Sequence, residues 1–163
     1  MTAIRPAAEA DLPAILAIHN HHIAHTLAIW RYEPADLAER RAWFAGRETQ
    51  GFPVLVAEEA GEIAGFASFG DFRAGAGYHR TVEHSIYVRE DRQRRGIARR
   101  LMLALFDEAR AAGKHVMVAA IGLPNDASVA LHASLGFEEA GRLRGIGWKF
   151  DRALDLLMMQ KAL

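Results

Sequence analysis

Residues 82–100, VEHSIYVREDRQRRGIARR, constrain the fold more than any other stretch of this chain. Val82, His84, Ile86 and Val88 alternate with Glu83, Ser85 and Tyr87, the two-residue period of a strand. A basic turn follows, Gln93-Arg94-Arg95-Gly96-Ile97-Ala98. Ile97, Leu101, Ala104 and Leu105 then fall on one helical face, with Gly113 past the last turn. The first N–H groups of a helix have no internal partner and carry partial positive charge, so they suit an anion. Gly96 and Ala98 keep bulk away from such a ligand, and Arg94, Arg95, Arg99 and Arg100 add charge. The junction reads as a pyrophosphate site. It lacks the Lys-Ser/Thr of a P-loop and the three glycines of the dinucleotide fingerprint.

The other elements punctuate themselves. Ala3–Arg5 reads as an edge strand. Asp11 is placed to cap a helix carrying Leu12, Ile15, Leu16 and Ile23. Pro34 and Asp36 open a second helix that closes near Gly51. Residues 53–59 and 62–69 form a hairpin turned at Ala60-Gly61, and a glycine-rich loop covers residues 70–80. Residues 115–121 read as a buried strand, 128–135 as a short helix, and 137–143 and 148–159 as closing strands. Alternating helices and strands give an α/β layout with one mixed sheet.

At 163 residues the chain is expected to be a single domain, 1–163, with a core of ordinary size. Twenty basic residues balance twenty acidic ones, which argues against a general nucleic-acid binder. There are no cysteines, hence no thiolate metal site and no cysteine nucleophile. MTAIRPAAEADL has no basic-then-apolar signal pattern, and no apolar run approaches membrane length, so a cytoplasmic location without membrane contact is expected.

The spacing Gln-x-x-Gly-x-Ala resembles the acetyl-CoA loop of the GNAT acetyltransferase superfamily. Further segments fall in the order of its phosphinothricin and methionine sulfoximine N-acetyltransferase branch: Ile4-Arg5-Pro6-Ala7, Ala28-Ile29-Trp30, Gly70-Asp71-Phe72-Arg73-Ala74, Thr81-Val82-Glu83-His84-Ser85, Val118-Ala119-Ala120-Ile121 and Leu131-His132-x-x-Leu135-Gly136-Phe137. The resemblance implies a GNAT-type fold, a mixed, mostly antiparallel sheet flanked by helices. It implies acetyl-CoA as co-substrate without a metal, a small amino-acid-like amine as acceptor, and a homodimer.

The resemblance also assigns roles. Glu83 matches the proposed base; the alternative is a glutamate paired to an arginine such as Arg80. His132 stands where many members carry a tyrosine that protonates the departing thiolate; the alternative is a histidine that only hydrogen-bonds the cofactor or a carbonyl. The acetyl and pantetheine groups are expected along the backbone of Ile86, Tyr87 and Val88. The diphosphate should lie against Arg94, Arg95, Gly96, Ile97, Ala98 and Arg99. Asn125 matches a pantetheine contact, although capping explains it equally, and Ser128 and Ser134 are weaker candidates. Arg73 is the expected clamp for an amino-acid carboxylate, since a guanidinium grips it with two bonds; the alternative is a surface arginine in a mobile loop. Trp30, Phe72, Ala74, Gly75, Tyr78, His84 and Ser85 complete the expected acceptor pocket, with Trp30 and Phe72 readable as core.

Two positions depart from the branch. Gly75-Ala76-Gly77 follows Arg73-Ala74 where relatives commonly carry a large aromatic, and Ala153 stands where they often carry tryptophan. Both suggest a wider, less rigid acceptor pocket. Other amines remain open on these grounds: another amino acid, a polyamine or a protein N-terminus. A non-catalytic acetyl-CoA sensor is the reading of a different class. His19, His21, His22 and His25 share helical faces, but no carboxylate or cysteine completes a zinc set, so a solvated or pocket-lining cluster is expected. Leu156, Leu157, Met158 and Met159 read as a buried strand, part of which could face a partner.

Overall fold

The computed structural model describes residues 2–163. Its sheet contains β1 (Ala3–Pro6), β2 (Val54–Glu59), β3 (Glu62–Asp71), β4 (Thr81–Val88), β5 (Val116–Gly122), β6 (Glu138–Lys149) and β7 (Arg152–Ala162), in the order β1-β2-β3-β4-β5-β7-β6. Every neighbouring pair is antiparallel except β4 with β5. The helices are α1 (Leu12–His25), α2 (Leu37–Gln50), α3 (Ile97–Ala111) and α4 (Asp126–Ser134). None of the helices among the described residues is long and apolar enough to cross a membrane.

The period-2 patterning of the strands builds two cores. Leu55 and Ala57 of β2, Val82 and Val88 of β4, and Met117, Ala119 and Ile121 of β5 pack with Ile97, Leu101, Met102, Leu105 and Phe106 of α3. Val54 and Val56 of β2 turn the other way, with Ile63 and Phe66 of β3, against Leu12, Ile15 and Ile18 of α1 and Phe44 of α2. His84 therefore shares the α3 face of β4 with Val82 and Val88, whereas Tyr87 packs against the α1–α2 core.

Two local expectations need correction, the Asp11 cap and the closing strands. The Asp11 carboxylate does not cap α1. It accepts the Ala8 N–H at 2.8 Å and two bonds from Arg5, so it caps the preceding turn and ties it to β1. Helix α4 starts at Asp126, where Leu123-Pro124-Asn125-Asp126 reads as a turn and helix start, and Asn125 caps it by accepting the Ser128 N–H at 3.2 Å. The first closing strand runs on through Gly141, Gly145 and Gly147 to Lys149, so Trp148 and Lys149, expected in the second, end the first, and the second spans Arg152–Ala162. Register shifts at 139/141 and 143/147 absorb these glycines as bulges. The hairpin then turns on Phe150 and Asp151, both with positive φ.

Leu101 is fully buried under the sheet. Leu101→Ala is expected to cost about 2–5 kcal/mol of folding stability, read from the urea midpoint.

Candidate active site

The site originates in an incomplete strand pairing. Strands β4 and β5 pair only from Thr81–Val116 to Glu83–Val118, although β4 continues to Val88 and β5 to Gly122. The Arg89 N–H donates to the Ala64 carbonyl, and the Phe72 N–H to the Thr81 carbonyl. In an antiparallel pair this alternation turns odd-numbered backbone groups of β4 toward β3 and those of His84, Ile86 and Val88 toward β5. The same alternation on β5, set by Leu123 N–H to Asp155 and Leu163 N–H to His115, turns Ala120 and Gly122 toward β4. The parted strands thus face each other with backbone donors and acceptors that the sheet does not use.

A cleft of about 670 Å³ runs through this gap. Ile86, Tyr87 and Val88 line one side and Ala119, Ala120, Ile121 and Gly122 the other. Of the three expected β4 positions, Ile86 has its backbone free toward the gap. Tyr87 turns its backbone to β3, and the Val88 carbonyl already lies 3.1 Å from His22 Nε2. At one end the cleft meets Gln93, Arg94, Gly96, Ile97, Ala98 and Arg99 at the start of α3, with Arg92 beside them. Gly96 has φ +78 and open space around a hypothetical Cβ, so its requirement is the left-handed backbone rather than steric room. Arg95 is not on the cleft wall, and Ser134 donates instead to the Leu131 carbonyl at 2.7 Å.

Because the cleft passes between strands, it touches residues from both faces of β4. Glu83 and Ser85 reach it from the α1–α2 side, and His84 reaches it from the α3 side. Glu83 is half buried, and burial raises its pKa above the usual carboxylate value, with Arg73 opposing. Arg80, the ion-pair alternative, turns to His115 Nε2 at 3.1 Å. Arg73, Ala74, Gly75 and Tyr78 are exposed outside the cleft wall, as is the partly buried Phe72. The Arg73 guanidinium stacks over Phe72 at 5.0 Å, near enough to Glu83 to act on its charge.

His132 occupies the opposite wall with Ser128, Asn125 and Leu131. Its Nδ1 lies 2.7 Å from the Ser128 carbonyl, and its Nε2 lies 3.0 Å from His84 Nε2. The rings stack at 5.1 Å. A carbonyl accepts only, so His132 carries its proton on Nδ1, and the proton between the rings belongs to His84 Nε2. Burial lowers both pKa values, that of His84 to about 3. In the resting protein His132 Nε2 is therefore an acceptor, and it can protonate a thiolate only after gaining a proton.

Sequence reasoning had not singled out Gln93, Arg92, Ala28, Ala127 or Leu156 as wall residues. Gln93 and Ala28 belong to the Gln-x-x-Gly-x-Ala and Ala28-Ile29-Trp30 segments, whereas Arg92, Ala127 and Leu156 are marked only by adjacency to the cleft, which no motif encodes. The histidines of α1 have structural partners: His22 bonds Val88, and His19 Nε2 lies 3.3 Å from Arg40. Among the described residues, no group of three His, Cys, Asp or Glu side chains is placed to hold a metal.

The family model for acetyltransferases of the GNAT family matches residues 15–137. The chain belongs to the GNAT acetyltransferase family. It is an N-acetyltransferase by that membership. It is 53% identical over 159 residues to the L-methionine sulfoximine/L-methionine sulfone acetyltransferase of Pseudomonas aeruginosa, covering 97% of this chain and 92% of that one. It is 50% identical over 158 residues to the L-amino acid N-acyltransferase of Escherichia coli, covering 97% and 92%. The Salmonella typhimurium protein yncA, solved with acetyl-CoA, superposes with a TM-score of 0.97 at 49% identity, covering 99% of this chain and 94% of that one.

The histidine pair makes a spectroscopic prediction. Imidazole nitrogen shifts at neutral pH should show both rings neutral, with His132 as the Nδ1–H tautomer; a charged ring there would contradict the assignment. His84 takes its proton near pH 3 when folded against an ordinary 6.5. Folding stability should therefore decline as pH falls between these two values.

Proposed function

We propose that the protein transfers the acetyl group of acetyl-CoA to the α-amino group of a small amino-acid analogue, methionine sulfoximine and methionine sulfone foremost. The observation that carries the chemistry is Glu83, a half-buried carboxylate with raised proton affinity at the point where β4 and β5 part. The 53% identity to a methionine sulfoximine/sulfone acetyltransferase supports the acceptor class.

In this reading acetyl-CoA lies in the gap as an added strand. Its pantetheine amides take the free backbone groups of Ile86 and Ala120, and its diphosphate meets the α3 N-terminus beside Arg94 and Arg99. Asn125 already gives its side-chain oxygen to the cap, which leaves the amide NH2 for the pantetheine. The acceptor approaches from the Glu83 side, where Arg73 needs a modest movement to reach its carboxylate. Glu83 takes the ammonium proton, directly or through water, and the neutral amine attacks the thioester carbonyl. The C–N bond forms, the C–S bond breaks, and the second proton, shed by the attacking nitrogen, goes to the thiolate. His132 can pass on that proton once Nε2 has been protonated.

Transfer is direct, in a ternary complex, with no acetyl-enzyme. The enzyme is a cytoplasmic homodimer in this reading. Its edge strand β6 supports the dimer: Leu143, Ile146 and Trp148 are about half exposed there, next to Phe150. Strand β7 is paired on both sides, so β6 takes the partner-facing role once allowed to residues 156–159.

CoA release should be measured with methionine sulfoximine, methionine sulfone, phosphinothricin, spermidine and a short peptide. Turnover confined to the amino-acid analogues supports the proposal, whereas preference for spermidine or peptide overturns the acceptor class. Glu83→Gln should lower kcat by about 10²–10⁴-fold while the KM for acetyl-CoA stays near wild type. The acid limb of the wild-type pH–rate profile should lie above the ordinary carboxylate range, because burial raises the Glu83 pKa.

A further inference from the structure

Lys149 is a cation buried without a carboxylate. Its side chain ends β6, only 2% of the residue is exposed, and burial lowers its pKa. The Nζ donates to three carbonyls, of Ile23 at 2.6 Å, Thr26 at 2.7 Å and Ile29 at 2.6 Å. Ile23 lies in the last turn of α1, where carbonyls lack intrahelical partners and the helix end carries partial negative charge. An ammonium has three protons, and all three are used here. This geometry explains how a desolvated charge is retained: it converges the end of α1 and the following loop onto one point.

That loop walls the cleft. Ala28 and Trp30 line it, and Trp30 meets Gly122 on the α1–α2 face of β5, the face from which Glu83 also reaches the cleft. Trp30 donates its indole N–H to the Leu27 carbonyl at 3.0 Å, and its ring lies flush on the backbone of two glycines. A Cβ on Gly122 would come within 2.8 Å of the indole nitrogen, and a Cβ on Gly147 would fall against the ring itself. Tyr32 closes the same seam by donating its hydroxyl to the Trp148 carbonyl at 2.7 Å. Residues 23–32 are thus fastened along the end of β6, with Lys149 as the charged member.

We infer that Lys149 is a positioning residue for the acyl acceptor: by gathering three carbonyls it fixes the Trp30 loop as the acceptor-side wall of the cleft. It touches neither reactant. The acceptor half of this inference rests on the function proposed above.

Lys149→Met keeps most of the side-chain volume and removes the three donors. The KM for methionine sulfone should rise by at least about tenfold, with kcat and the KM for acetyl-CoA changed by less than about threefold. Amide hydrogen exchange over residues 26–30 should accelerate by at least about tenfold while that of α3 stays unchanged. An unchanged acceptor KM, or equal losses toward both substrates, would overturn the inference. If the wild type acetylates no amino acid, the function proposed above fails, and the exchange measurement still decides whether Lys149 holds the loop. If Lys149→Met does not fold, the wild-type ammonium resonance decides. It should be visible at neutral pH and move on adding methionine sulfone but not acetyl-CoA, and an unmoved resonance would overturn the inference.

Discussion

The site depends on a parallel pairing that stops after three residue pairs. Had β4 and β5 stayed hydrogen-bonded to Val88 and Gly122, the centre of the sheet would be closed and the backbone groups of Ile86 and Ala120 satisfied. Their separation costs those hydrogen bonds, and burying an unmet amide is expensive. A ligand that supplies alternating amide donors and acceptors offsets that cost. The flanking antiparallel pairs, β3 with β4 and β5 with β7, hold each side of the gap in register. The α3 N-terminus lies at its end because β4 feeds α3 through the short basic turn.

The separation also explains how one cleft gathers side chains that a continuous sheet would keep apart. Glu83 and His84 are neighbours in sequence and point to opposite faces. Through the gap, Glu83 reaches the cleft from the α1–α2 side, the side on which the proposed reaction admits the amine, and His84 stacks on His132 of α4. Burial pushes these groups in the same sense, toward neutrality: Glu83 gains proton affinity, and His84 and His132 lose it. In the proposed reaction, Arg94 and Arg99 at one end of the cleft suit the diphosphate of acetyl-CoA, and burial leaves the groups between the strands weakly charged.

Much of this was legible in the sequence, for identifiable reasons. The period-2 run from Val82 to Val88 and the helical face beginning at Ile97 each encode one element, and Gly51 and Ala60-Gly61 sit at the left-handed positions that punctuation implies. Glu83 and His132 stand in motif segments, and both line the cleft; the roles given to them belong to the proposed function. The His84–His132 bond was not legible, because two residues 48 positions apart meet only once β4 and α4 pack on the same face. The length of β6 was hidden by glycines that bulges absorb. Lys149 resembled any surface lysine near a turn, since its acceptors lie more than a hundred residues away. The glycine-rich segment after Arg73 lies outside the cleft wall, so its width bears on how an acceptor enters rather than on the donor site.

The most direct test of the central claim is backbone amide exchange along β4 with and without acetyl-CoA. The free amide of Ile86 should exchange quickly in the ligand-free protein and become strongly protected on binding. Tyr87, already bonded to β3, should change little. Protection confined to the α3 N-terminus, with Ile86 unchanged, would mean that the donor does not complete the sheet, and would contradict the account.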